Sequence, residues 1–234
     1  MKKKYTHIFF DLDNTLWDFR KNSRCAMEVT YNNFEIAELG VEFDRFYECY
    51  SENNTALWTA YRKKEVRKNE LTRQRFQLTF DALSIKGIEP DQMNDYYLTE
   101  MPKQVNLIEG ALDILEYLKA KRYKLFIITN GFREVQYKKL QNSGLGTYFE
   151  KVFISEDIKT PKPGNEIFEY AIKSANAKKV NSLMVGDDWD VDIMGAYKFG
   201  IDAVYLQPGI DQKATDEHGG VGKILNLNEL VLVL

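Results

Sequence analysis

Short apolar runs alternate with helix-like stretches through the second half of the chain. The apolar runs, each bounded by turn residues, are 125–129, 152–155, 183–186 and 203–206. The stretches between them, with the length and periodicity of crossover helices, are 110–121, 134–143, 166–175 and 190–199. Continuous apolar runs are typical of strands buried on both faces. The alternation therefore predicts a parallel sheet with helices on both faces.

An earlier apolar run lies at residues 8–10, and the region between it and these repeats has a different pattern. Residues 19–104 contain no strand-like run but show helical stretches at 23–39, 43–68 and 71–85. We therefore predict an α/β fold with a Rossmann-like core and an inserted α-helical cap domain. The predicted core is 1–18 together with 105–234, and the predicted cap is 19–104.

Composition narrows the class of protein. Of 234 residues, 44% are hydrophobic and 29% charged, which is ordinary for a globular protein. A net charge of −3 gives no electrostatic reason to expect a nucleic-acid or membrane partner. The apolar stretch after Lys2–Lys4 is too short for a signal peptide, and no run reaches transmembrane length. Cys25 and Cys49 fall in no metal-binding spacing, so we expect free thiols and a cytoplasmic location.

Two carboxylates follow the apolar run at residues 8–10. Asp11 and Asp13 are spaced i, i+2, and an extended strand would place both side chains on the same side. Two like charges held together are unfavourable unless a cation lies between them or one takes a proton. This spacing therefore indicates a divalent-metal site in which one carboxylate can also attack an electrophile, as in enzymes that form an aspartyl-phosphate.

Polar clusters follow the other predicted strands as well. Thr129-Asn130-Gly131 ends one run, Lys159 and Lys162 follow the next, and Gly186-Asp187-Asp188 ends another, with Asp190 and Asp192 just beyond. Functional groups gather at the carboxyl ends of strands in open α/β sheets. Together these residues supply a nucleophile, oxygen ligands for Mg²⁺, and partners for a phosphoryl group.

With these motifs, the chain resembles the haloacid-dehalogenase-like hydrolase superfamily. The four motifs of that family occur in order, as Asp11-Leu-Asp-Asn-Thr15, Thr129, Lys162 and the run 186–196. The helical insert is similar to that of the subclass with an α-helical cap. The continuation Asp-Asn-Thr-Leu-Trp-Asp-Phe at 13–19 is similar to the branch of pyrimidine 5′-nucleotidases.

The chemistry and the resemblance imply the same roles for the acidic residues. Asp11 would attack phosphorus, and Asp13 would protonate the leaving alcohol and then take a proton from the hydrolytic water. The Asp11 carboxylate, the Asp13 backbone carbonyl and Asp187 would hold Mg²⁺. Asp188 and Asp192 would support the metal site from behind these ligands.

The remaining motif residues would bind phosphate. Thr129 and the backbone amides near Asn130 would donate hydrogen bonds to phosphate oxygens, and Lys162 would offset charge on the phosphoryl group and on Asp11. Lys162 is favoured over Lys159 because the proline after it and the helix start near Asn165 match the pattern of the family that the chain resembles, which leaves Lys159 as a solvated surface lysine. Asp188 and Asp190 have the alternative role of helix N-caps.

For other residues the sequence allows two interpretations, or gives no functional one. Four aromatic side chains could stack on a nucleobase, although a small helical core is the favoured alternative: Trp17, Phe19, Trp58 and Tyr61. Four basic side chains could meet substrate charge, although a solvated helix face is favoured: Arg20, Lys21, Arg62 and Lys63. His7 and His218 fit no ligand or triad arrangement.

The leading functional hypothesis is a Mg²⁺-dependent phosphatase that hydrolyses a small phosphomonoester, with a nucleoside 5′-monophosphate as the expected substrate. A phosphomutase and a sugar-phosphate phosphatase on the same scaffold are alternatives, and a phosphate-binding regulator is the non-enzyme alternative. A dehalogenase is disfavoured because its chemistry does not need Asp13 or the cluster at Asp187. We expect a monomer or homodimer whose partner is a small phosphorylated metabolite.

Overall fold

The computed structural model describes residues 5–207 and 220–234. Lys2–Lys4 and His218, considered above, lie outside these described residues. The chain divides into two compact units, one formed by Met1–Phe19 with Val105–Leu234 and the other by Arg20–Gln104. Within the described ranges, no helix has the length and apolarity required to span a membrane.

A parallel sheet forms the centre of the first unit. Its strands in chain order are β1 (His7–Phe10), β2 (Lys124–Thr129), β3 (Lys151–Ile154), β4 (Ser182–Gly186), β5 (Asp202–Leu206) and β6 (Val221–Ile224). Their spatial order is β3-β2-β1-β4-β5-β6. From β1 the order runs to β2 on one side and to β4 on the other, and such a switch point is where open α/β sheets bind ligands.

The register of the central strands aligns their carboxyl ends. Phe10 of β1 pairs with Ile127 of β2 and with Val185 of β4. The Asp11 N–H then donates to the Val185 carbonyl over 2.9 Å. The residues that follow these three strands therefore lie side by side at one edge of the sheet.

Helices pack against the sheet of the first unit. They are α5 (Ala111–Ala120), α6 (Arg133–Asn142), α7 (Ser155–Ile158), α8 (Asn165–Ser174) and α9 (Met194–Phe199). Aromatic side chains of neighbouring strands stack on one sheet face, with ring centroids 5.0 Å apart for Phe9 and Phe126 and 6.1 Å apart for Phe126 and Phe153. Phe168 of α8 belongs to the same buried cluster. Burial of each such side chain contributes about 1.5–3 kcal/mol, which fixes the strands that carry the site residues.

The second unit is helical. Its helices are α1 (Phe19–Asn33), which begins at the boundary, α2 (Phe43–Arg62), α3 (Lys68–Leu83) and α4 (Pro90–Glu100). Arg75 is buried in its core and donates hydrogen bonds to the amide oxygens of Asn54 and Asn94. Three ring centroids lie 5.2–5.8 Å from its guanidinium carbon, those of Tyr50, Phe76 and Tyr97. These contacts stabilise a buried cation through aromatic faces and amide oxygens.

The predicted α/β fold is confirmed, and most predicted elements of the core occur with bounds within one residue. The prediction of one continuous α-helix over residues 190–199 was wrong. It begins as a wide π-helical turn, Trp189–Ile193, and becomes α9 only at Met194. The Asp188 side chain accepts hydrogen bonds from the two backbone N–H groups of Asp190 and Val191, which opens the helix with a cap.

In the insert, two predicted helices were too long. The stretch 43–68 ends at Arg62, because the Arg67 N–H donates to the Glu70 carboxylate and begins a new helix. The stretch 23–39 ends at Asn33, and a separate 3₁₀ turn covers Ile36–Leu39. Helix α4 and strand β6 were not predicted. Cys25 and Cys49 are free thiols, as expected.

Candidate active site

Three aspartates converge at the carboxyl edge of the sheet. Asp11 follows β1, Asp187 follows β4, and Asp192 lies in the π-helical turn after β4. One carboxylate oxygen from each lies within 4.8 Å of the others. Asp11 and Asp192 are buried, and Asp187 is half-buried. The loop between β4 and α9 thus adds two carboxylates to the one carried by β1.

Lys162 is the cation of this cluster. Its Nζ lies 2.6 Å from Asp11 Oδ1 and 2.6 Å from Asp192 Oδ1, and it donates to the Ile128 carbonyl over 2.7 Å. An ammonium has three donors, so all of them are used. One lysine therefore faces three carboxylates, and the cluster keeps an excess of negative charge.

The pKa values reflect this excess. Burial raises the pKa of Asp11 well above its ordinary range, the neighbouring aspartates raise it further, and Lys162 opposes them. Burial and the charge of Asp192 raise the pKa of Asp187 to about 7. Burial by itself would lower the pKa of Lys162, but the charges and hydrogen bonds of Asp11 and Asp192 raise it. Carboxylates that tend to keep protons in the absence of a cation fit a divalent metal ion, which prefers oxygen ligands.

Small residues make room for this arrangement. A Cβ on Gly186 would overlap the Asp192 carboxylate, so glycine permits the close approach of Asp192 to the strand end. The Asp192 Oδ2 also accepts the Asp188 N–H over 3.2 Å. Thr15, the last residue of the first motif, was assigned no role from the sequence; it is buried and donates to Asp187 Oδ1 over 3.1 Å. These bonds orient the carboxylate of Asp187, a candidate metal ligand, and that of Asp192 beside it.

Comparison with known proteins shows which family the chain belongs to. The haloacid dehalogenase-like hydrolases match residues 8–206. The chain belongs to the haloacid dehalogenase-like hydrolase family. The predicted resemblance and the prediction of a hydrolase are thereby confirmed.

Relatives of this hydrolase include named enzymes. Over 210 residues it is 33% identical to pyrimidine 5′-nucleotidase PynA of Streptococcus pneumoniae, covering 87% of this chain and 84% of the relative. Over 204 residues it is 30% identical to pyrimidine 5′-nucleotidase YjjG of Escherichia coli, covering 87% and 86%. The structure of the HAD-hydrolase YfnB of Bacillus subtilis, bound to magnesium, matches with a TM-score of 0.86 and 27% identity over 99% of each chain.

Thr129 lies at the end of β2, which pairs with β1, the strand that Asp11 follows. The Thr129 Oγ1 accepts the Gly131 N–H over 3.1 Å and the Gln136 amide over 2.7 Å. A hydroxyl has two acceptor positions and one donor, so the Thr129 O–H proton stays available for a ligand. Asn130 binds the backbone of Lys162 on both sides, through Nδ2 at 3.0 Å and Oδ1 at 2.8 Å. The Asn130 side chain thus fixes the backbone of the loop that carries Lys162.

Asp13 is set apart from the other aspartates. The sequence argument placed Asp11 and Asp13 on one side of an extended strand, but β1 ends at Phe10 and the two carboxylates have different partners. The Asp13 Oδ1 lies 2.6 Å from Lys139 Nζ, and Oδ2 accepts the Gln136 amide over 2.8 Å. Sequence reasoning missed both partners.

The structure shows where the residues with alternative interpretations lie. Lys159 is exposed, whereas Lys162 is buried in the cluster. Asp188 is the N-cap of the π-helical turn, and Asp190 is exposed within that turn. His7, half-buried at the start of β1, stacks on Phe126 with ring centroids 5.8 Å apart.

The four aromatic side chains divide between the two units. Trp17 is fully buried in the first unit, with Phe19 beside it at a ring distance of 6.4 Å. Trp58 and Tyr61 lie on α2 as a half-buried edge-to-face pair, 5.5 Å apart. Complete burial removes Trp17 from the residues that could stack on a nucleobase.

Proposed function

We propose that this hydrolase is a Mg²⁺-dependent phosphatase that converts a nucleoside 5′-monophosphate to the nucleoside and phosphate through an aspartyl-phosphate on Asp11. The observation that carries the proposal is the excess of buried carboxylates around Lys162, which fits a cation and a nucleophile in one site. The names of two relatives with about 30% identity support a pyrimidine nucleotide as the substrate.

The Asp11 and Asp187 carboxylates and the Asp13 backbone carbonyl are the proposed ligands of Mg²⁺. Asp192 supports them by holding Lys162, and Asp188 supports them by shaping the turn that carries Asp192. When bound, Mg²⁺ would neutralise charge on the phosphoryl oxygens and favour the ionised form of the carboxylates. The magnesium-bound structure of the relative YfnB is consistent with this choice of metal.

Asp11 is the proposed nucleophile. Lys162 holds its Oδ1 at 2.6 Å and so fixes the direction of the carboxylate. In the first step a bond forms between the Asp11 carboxylate and phosphorus, and the bond from phosphorus to the leaving oxygen breaks. In the second step water attacks phosphorus, and the bond to Asp11 breaks.

Asp13 is the proposed acid and base. It would give a proton to the leaving alkoxide in the first step and take one from the attacking water in the second. Its side chain keeps 25% of its surface exposed, so a substrate oxygen can approach it. Asp13 thus gives one proton and regains one, so it returns to its starting state after each turnover.

Thr129 is proposed to donate its hydroxyl proton to a phosphate oxygen, together with backbone amides near Asn130. Lys162 would act on the phosphoryl group through its charge, because its three donors are already used by protein oxygens. We further propose that residues 20–104 act as the cap domain that selects the substrate.

Phosphate release from purified protein tests the proposal. Wild type should hydrolyse p-nitrophenyl phosphate and pyrimidine 5′-monophosphates with Mg²⁺ and lose activity with a chelator. Asp11→Asn should abolish turnover while the circular dichroism spectrum is retained. Asp95→Asn in α4, an acidic residue in the other unit, is a matched control.

A panel of phosphorylated metabolites separates the alternatives. Preference for sugar phosphates would replace the nucleotide assignment, and isomerised sugar phosphate without phosphate release would indicate a mutase. Retained activity in Asp11→Asn would refute the assigned nucleophile. Phosphate binding without turnover of any ester would indicate a regulator.

A further inference from the structure

Two buried side chains of α6 hold the carboxylate of Asp13. Lys139 is 2% exposed and its Nζ lies 2.6 Å from Oδ1, while Gln136 is fully buried and donates to Oδ2 over 2.8 Å. Each carboxylate oxygen therefore has one partner from the same helix. Hydrogen bonds at both oxygens fix the plane of the carboxylate and leave little freedom of rotation.

Fold stability gives no adequate reason for these two residues. The Lys139 ammonium lies 4.2 Å from the centre of the Trp17 ring, deep in an aromatic environment. Replacing a buried ion pair by apolar residues is often neutral or stabilising. The Gln136 Oε1 is also buried without a hydrogen-bond partner among the described residues, which costs free energy. An apolar helix face would pack here without either cost.

One amide group connects Asp13 to the phosphate-binding hydroxyl. The Gln136 Nε2 donates to Thr129 Oγ1 over 2.7 Å as well as to Asp13. A Cβ on Gly131 would overlap this amide, so the glycine leaves the space that Gln136 occupies. The positions of the proposed acid–base and of a proposed phosphate ligand are therefore set by the same side chain.

We infer that Lys139 and Gln136 are positioning residues that hold the Asp13 carboxylate for proton transfer to the leaving oxygen. The inference rests on the proposed function, in which Asp13 is the acid and base. Proton transfer needs the two heavy atoms within about 2.6–3.2 Å of each other, so a freely rotating Asp13 loses part of its effect. Lys139 takes no part in the proton transfer itself. It acts on the reaction through the orientation of Asp13 alone.

The nature of the leaving group distinguishes this role from a structural one. An alkoxide, such as the 5′-oxygen of a nucleoside, is strongly basic and needs a proton as it leaves. A p-nitrophenolate is weakly basic and leaves without one. Misplacing the acid therefore slows hydrolysis of the alkyl ester more than that of the aryl ester.

The test measures kcat and KM for wild type, Lys139→Met and Gln136→Leu with uridine 5′-monophosphate and p-nitrophenyl phosphate. In Lys139→Met, kcat with the nucleotide should fall by about 10²-fold and kcat with the aryl ester by less than about tenfold, while KM changes little because the interaction acts on the transition state. Gln136→Leu also removes a donor from Thr129, so both esters should lose activity, but kcat with the nucleotide should fall by about tenfold more than kcat with the aryl ester. Lys138→Met is the matched control, since Lys138 is the exposed neighbour on the same helix, and it should behave as wild type.

Each other outcome has a definite meaning. Equal losses with both esters, or unchanged kcat in both variants, would overturn the positioning role. Gln136→Leu keeps the test decisive if Lys139→Met does not fold. A wild-type protein that releases phosphate from neither ester would instead overturn the proposed function, which distinguishes the two failures.

Discussion

Replacing Lys162 with methionine should destabilise the protein in a strongly pH-dependent way. The substitution keeps the length of the side chain but removes the cation that lies 2.6 Å from Asp11 and 2.6 Å from Asp192. Both carboxylates are buried, so no solvent replaces the lost partner. Removing one partner of a buried ion pair typically costs about 3–5 kcal/mol.

The pH dependence follows from the pKa shifts. Burial already raises the pKa values of Asp11 and Asp192, and loss of Lys162 removes the charge that opposes this shift. A carboxyl whose pKa is raised on folding stabilises the fold below its unfolded pKa, and this contribution is lost as the pH rises through the folded pKa. The difference between variant and wild type should therefore be smaller at about pH 5 than at about pH 8, because the raised pKa values leave a larger fraction of these carboxyls protonated at the lower pH.

Urea unfolding in a chelator, followed by circular dichroism, measures the free energy of unfolding at both pH values. For a chain of this size, about 3–5 kcal/mol corresponds to a fall in Tm of roughly 6–20 °C. Lys159→Met is the matched control from the same loop, because Lys159 is exposed and its replacement should change stability by less than about 0.5 kcal/mol. A Lys162→Met protein as stable as wild type at about pH 8, or equally destabilised at both pH values, would refute this reasoning.

Three further predictions concern the same site. The pKa of Asp187 is raised to about 7, so at lower pH Mg²⁺ would have to displace a proton from this carboxyl. The affinity for Mg²⁺, measured by calorimetry, should therefore fall by up to about tenfold per pH unit below that value. An affinity that does not change with pH would contradict this. Gly186→Ala should displace the Asp192 side chain and lower the free energy of unfolding in urea by about 1–3 kcal/mol. Gly222→Ala is the control and should lower it by less, because the new Cβ meets no atom closer than 3.5 Å. Equal losses of stability would argue against the overlap at Gly186. Thr129→Val should lower kcat/KM by about 10²-fold while Thr129→Ser keeps most activity, and a fully active valine variant would exclude the hydroxyl as a phosphate ligand.

Much of the core could be predicted from the sequence because its strands are continuous apolar runs and its helices have a clear buried stripe. The strand at residues 125–129 and the helix at 166–175 were found within one residue of β2 and α8. Helix α4 was missed because its buried face, at Met93, Asn94 and Tyr97, is short and partly polar. Strand β6 has four residues and no extended apolar run.

For the candidate site, the sequence by itself predicted that the aspartates, Thr129 and Lys162 lie near one another, because parallel strands bring their carboxyl ends to one edge of the sheet. Only the tertiary structure decided which neighbouring groups act on them. Lys138 and Lys139 are adjacent and identical in type, yet the turn of a helix exposes the first and buries the second against Asp13. Composition and spacing do not distinguish them, because the difference arises from where α6 packs. Val135 and Leu140 mark the buried stripe of this helix, and the position of Gln136 and Lys139 within it was the signal that could have found them.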